Sequence, residues 1–66
     1  MDNAILDRLR LAHRKFPDAI FSVFTTAGHV ISGRLVTLDN TVVLEAGRET
    51  AEVPGERVEA FSYRRP

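Results

Sequence analysis

Sixty-six residues carry nine basic and nine acidic side chains, for a formal net charge of zero. That length allows one small core and no second domain, and the neutrality excludes a uniformly electropositive nucleic-acid binder. With no cysteine, disulfides and thiolate metal sites are excluded, so added stability is expected from a partner surface, most simply another copy of the chain.

The first predicted element is a helix over residues 3–16. Asp2 and Asn3 are good N-cap types, and Ala4 to Lys15 is helix-permissive throughout. Ile5, Leu9, Ala12 and Phe16 recur at helical spacing and define one apolar face, with Leu6 beside it. Pro17 ends the helix, because the residue before a proline is biased toward extended geometry.

Composition then switches to β-branched and aromatic residues, and five strands are predicted within 20–63. In the first, Ile20 to Thr26, the side chains of Phe21, Val23 and Thr25 share one face and those of Ile20, Ser22, Phe24 and Thr26 the other. Ala27-Gly28 is a turn. The second strand runs from His29 to about Leu38, and Gly33 in its middle predicts a bend or bulge. Asp39-Asn40 is the next turn, and Thr41 to Ala46 the third strand. Glu49 to Val53 is a short, charged fourth strand. Val53-Pro54-Gly55-Glu56 places Pro and Gly at the central positions of a type II turn. Arg57 to Tyr63 is the fifth strand. Sequential antiparallel pairing with one bent strand predicts a mainly β fold, a small five-stranded barrel preceded by a helix.

The charges are unevenly spread. Arg8, Arg10, Arg14 and Lys15 lie on the helix and Arg64 and Arg65 at the end, whereas 39–59 is predominantly acidic. An anion-binding surface is therefore expected near the helix or the tail. Each of these charges also has the ordinary alternative of being a solvated surface group.

The run Phe21, Val23, Gly28, Gly33, Leu35, Asp39, Val42 and Leu44 resembles the first motif of the Sm/LSm family, in particular its bacterial Hfq-like branch. Gly55, Val58 and Phe61 resemble the second motif. The resemblance spans most of the chain, from the helix to the fifth strand. It implies a closed Sm-like barrel and a homo-oligomeric ring in which the fourth strand of one subunit pairs with the fifth of the next. It also implies single-stranded RNA as a partner, and an RNA chaperone or RNA-metabolism role.

On that resemblance, Thr41 and Pro54 occupy the positions flanking the uridine pocket. Thr41 lacks an aromatic face, and Pro54-Gly55-Glu56 replaces a basic turn, so that pocket is expected to be degraded. Asn40 keeps an amide able to read a base edge. Phe24 aligns with a stacking aromatic on the opposite face and His29 with a neighbouring contact; packing of Phe24 against the helix or a neighbouring subunit is the competing reading. Arg8, Arg10, Arg14 and Lys15 are the candidate phosphate contacts at the rim.

Two further readings stay open: an Sm-like scaffold or protein-interaction module that has lost RNA binding, and an unrelated small barrel acting as a monomeric adaptor. No catalytic set, metal loop or phosphate-cradling glycine motif is present, so neither enzymatic activity nor a cofactor is expected. No apolar run reaches membrane-spanning length and the N-terminus lacks a signal-peptide core, so a cytoplasmic location without membrane association is expected.

Overall fold

A computed structural model describes residues 4–65. One helix, α1 (Ala4–Lys15), precedes five strands: β1 (Ile20–Thr25), β2 (Val30–Leu38), β3 (Thr41–Ala46), β4 (Glu49–Pro54) and β5 (Val58–Arg64). A single 3₁₀ turn, Gly55–Arg57, separates the last two. The N-cap reading of Asp2 and Asn3 falls outside the described residues.

Helical periodicity governs which face of α1 is buried. Leu6, Leu9 and Ala12 are buried, while Ile5 and Phe16 pack at the margin of the core. The helix ends at Lys15, and the Ala19 N–H closes the connector by donating to the Phe16 carbonyl at 3.1 Å. In β1 the pleat sends Phe21, Val23 and Thr25 inward. They meet Leu35, Val42, Leu44, Val53 and Val58 from the other strands. Phe21, fully buried, contributes about 1.5–3 kcal/mol of burial. The buried Thr25 hydroxyl accepts the His29 N–H at 3.1 Å, which ties the β1–β2 turn to the core side. Gly28 adopts φ +86° in that turn, a conformation that costs a residue with a Cβ.

The five strands form one antiparallel sheet in the order β4-β3-β2-β1-β5. The first four pair sequentially, and β5 adds to the free side of β1. β4 and β5 are therefore the two edges, and among the described residues they do not pair with each other. This corrects the expected fold class. One helix and five antiparallel strands are present, but the sheet is open and is not the closed Sm-like barrel predicted above. Alternation along a strand specifies which face is buried; it does not specify whether the outermost strands meet.

Two local expectations also change. The register shift in β2 lies between Leu35 and Thr37, beyond Gly33. Gly33 instead permits close approach of β3, as a Cβ there would meet the Glu45 carbonyl. The turn after β4 is not type II: Pro54 has the required φ −56° and ψ 136°, but positive φ among the glycines is confined to Gly28 and Gly47. Gly55 is buried where a side chain would meet Leu6 and the Asn40 carbonyl, and its N–H donates to that carbonyl at 2.7 Å.

Candidate functional site

The helix divides its cations between two sides. Arg10 and Arg14 join His13 and Leu38 around a depression beside the β2–β3 turn. Arg10 is already engaged there, donating to the Asp7 carboxylate at 3.0 Å and to the Asp39 carbonyl at 3.1 Å. Arg8 and Lys15 lie on the other side, over β5, and neither has an ion-pair partner among the described residues. The four residues expected to form one rim patch thus form two separate pairs.

The remaining predicted contacts are also dispersed. Phe24 stands on the outer face of the sheet between Val30 of β2 and Ala60 of β5. It is 37% exposed and outside the core that the helix covers, which leaves a neighbouring subunit as the packing alternative. His29 is exposed in the adjacent turn. Asn40, exposed, and Thr41, half-buried, lie beyond the opposite end of β2. The candidate residues do not converge on one pocket.

What the structure does assemble is a groove between α1 and β5, with a volume of about 350 Å³. Leu11, Ala12, Phe61 and Tyr63 form its apolar lining, with Arg8 and Lys15 among the lining residues. Leu11 is 57% and Tyr63 43% exposed, although both are large apolar or aromatic side chains. Tyr63 is held in place by three rings: it stacks on Phe16 at 5.6 Å between centroids and lies 5.5 Å from Phe21 and 6.4 Å from Phe61. The Arg65 guanidinium sits 5.3 Å above the Phe16 ring.

The groove runs beside an open strand edge. Among the described residues β5 pairs with β1 on one side only, so its other side is an edge that a further strand could join. The opposite edge, β4, is chemically complementary. Glu49, Ala51 and Val53 share its core-facing side, and Thr50, Glu52 and Pro54 the outer side. Glu49 and Glu52 are exposed and without an ion-pair partner among the described residues.

Sequence reasoning missed this groove. Leu11 was its one visible signal: an apolar residue off the buried helix stripe. Phe61 and Tyr63, two residues apart in β5, fall on one side of the strand, but nothing in that spacing sets them beside α1.

No group of histidine, aspartate or glutamate side chains among the described residues is arranged to hold a metal ion. No helix among them is long and apolar enough to cross a membrane.

No family model matches this chain, and no curated protein or solved structure matches it. With the sheet open and no match to the Sm/LSm family, the resemblance is not sustained. The Sm-like RNA-binding ring and the Sm-like scaffold both lose the architecture on which they depended.

Proposed function

We propose that this chain is a self-assembly module, in which β4 of one copy adds to the open β5 edge of another beside the α1–β5 groove. The supporting observation is the complementarity of the two free edges: an acidic strand whose Glu49 lies on the side that would meet the groove, and a strand flanked by Arg8 and Lys15, which have no ion-pair partner among the described residues. Strand addition supplies main-chain hydrogen bonds, and side-chain pockets set the register. Ala51 and Val53 lie on the face of β4 that continues the core-facing side of β5, where Phe61 and Tyr63 stand. Burial of Leu11 and Tyr63 under the incoming strand adds roughly 25 cal/mol per Å² of apolar surface covered.

A contact between different edges is head-to-tail, so each copy keeps one donor edge and one acceptor edge. The arrangement needs neither a closed barrel nor an RNA ligand. It also accounts for how so small a domain tolerates exposed Leu11 and Tyr63: covering them is part of its function.

Sedimentation velocity on two charge-reversed double variants tests this. Glu49→Lys with Glu52→Lys makes the β4 edge basic; Arg8→Glu with Lys15→Glu makes the groove acidic. Each variant alone is expected to be monomeric. An equimolar mixture restores assembly, because both kinds of contact then join opposite charges. A monomeric wild type, or variants that assemble as well alone as mixed, overturns the proposal.

A further inference from the structure

The outer face of the sheet has an order of its own, unrelated to the groove. Three successive cross-strand rows span β2, β1 and β5. Val30, Phe24 and Ala60 form an apolar row; Ser32, Ser22 and Ser62 form a hydroxyl row; Arg34, Ile20 and Arg64 form a row with a cation at each end. Adjacent rows are two residues apart along the strands, about 7 Å.

We infer that the hydroxyl and arginine rows together form a binding site for a phosphate dianion, free or as a monoester. Arg34 and Arg64 are both register partners of Ile20, on opposite sides of it. Their Cα atoms are therefore roughly 10 Å apart, a span within the reach of two long guanidinium side chains, with the half-buried Ile20 between them. Planar guanidinium forks match the oxygens of a phosphate group. Ile20, Ser22, Ser62, Tyr63 and Arg64 line a shallow depression of about 230 Å³ at this place.

The serines supply the remaining donors. Ser22 and Ser32 share one hydrogen bond at 2.8 Å, in which one hydroxyl donates and the other accepts. The accepting hydroxyl keeps its own proton for an anion, as does that of Ser62. Arg64 has no ion-pair partner among the described residues. Arg34 has weak competition: Asp18 at 3.9 Å, with both side chains well exposed, and Glu45 as its cross-strand partner on β3. An exposed pair at that distance holds its arginine loosely, so a dianion with two hydrogen-bonding edges displaces it.

The site does not depend on self-assembly, since strand addition at the β5 edge leaves this face of the sheet open. The test is a backbone-amide NMR titration of the full chain with inorganic phosphate, O-phosphoserine and sulfate at about pH 7.5, where the phosphates are mostly dianionic. Saturable shifts centred on Ser22, Ser62 and Arg64 are expected. Arg34→Gln with Arg64→Gln is expected to weaken binding by about tenfold or more. Asp18→Asn frees Arg34 and is expected to tighten it about two- to threefold. All three substitutions are at exposed positions, so the fold is retained. Tighter binding of O-phosphoserine than of inorganic phosphate identifies a monoester ligand, and equal binding identifies free phosphate. Equal affinity for sulfate, shifts centred elsewhere, or binding unchanged in the double arginine variant overturns the inference.

Discussion

A Cβ at Gly33 would stand 2.6 Å from the Glu45 carbonyl oxygen, so the paired strands β2 and β3 approach there so closely that only hydrogen fits. The obstacle is backbone and cannot rotate away. Gly33→Ala is therefore expected to force the two strands apart and to destabilise the fold by about 1–3 kcal/mol. Urea unfolding should show the loss as a lower midpoint. Gly47→Ala is the control, because open space surrounds Gly47 and its cost is confined to φ +63°, roughly 1 kcal/mol. An equal effect at the two positions would contradict the close-approach argument.

Phe21 and Phe24 lie in the same strand and answer to different surroundings. Phe21 is fully buried, and Phe21→Ala is expected to cost about 3–5 kcal/mol. For a domain of this size, whose total stability is roughly 3–10 kcal/mol, that removes much or all of the folded population. Phe24→Ser, on the outer face, is expected to cost less than about 1 kcal/mol. Far-ultraviolet circular dichroism during thermal unfolding separates the two outcomes.

Arg10 ties the helix to the β2–β3 turn through the Asp39 carbonyl and closes an i, i+3 pair with Asp7. Both contacts are exposed, so Arg10→Gln is expected to cost only about 0.5–1 kcal/mol in global stability. The sharper signature is local. Hydrogen exchange should accelerate in the turn at Asp39 and Asn40 while the amides of β1 stay protected.

Salt offers a further check on self-assembly. The charges proposed to meet, Glu49 against Arg8 and Lys15, are exposed before contact, so raising ionic strength from about 0.05 to 0.5 M screens their attraction. The dissociation constant measured by sedimentation is expected to rise by about tenfold. Insensitivity to salt would leave main-chain hydrogen bonding and apolar burial as the driving forces and remove the charge complementarity on which the proposal stands.

Local structure was legible where one physical signal dominated. The helical repeat of Ile5, Leu9, Ala12 and Phe16 marked the packed face of α1, and alternation in Ile20–Thr25 separated Phe21 and Val23 from Phe24. Pro17 and Gly28 marked real boundaries. Gly55 was misleading: Pro-Gly is the type II pattern, but close contact with Leu6 and Asn40 governs the residue, and such contact leaves no trace in a tetrapeptide. The sheet edges were illegible for a related reason. Nothing in the spacing of Val58, Phe61 and Tyr63 states which strand lies beside them, and the barrel expectation arose from assuming that the last strand closes on the one before it. The α1–β5 groove depends on that same neighbour relation and was hidden with it.

The placement of β5 against β1 also bears on how the chain reaches its native state. Ile20 pairs with Arg64, whereas the β1–β2, β2–β3 and β3–β4 pairings are joined by short turns. The three short loops close quickly, while docking β5 must close a loop that contains nearly the whole sheet. Loop-closure cost therefore favours the four-strand meander ahead of docking of the last strand. Until it happens, β1 is an edge and Phe21 lacks the ring of Tyr63 beside it. The interval before β5 docks is when this protein is most exposed to misassociation, and substitutions that hold β5 back will act on refolding yield more than on the native contacts themselves.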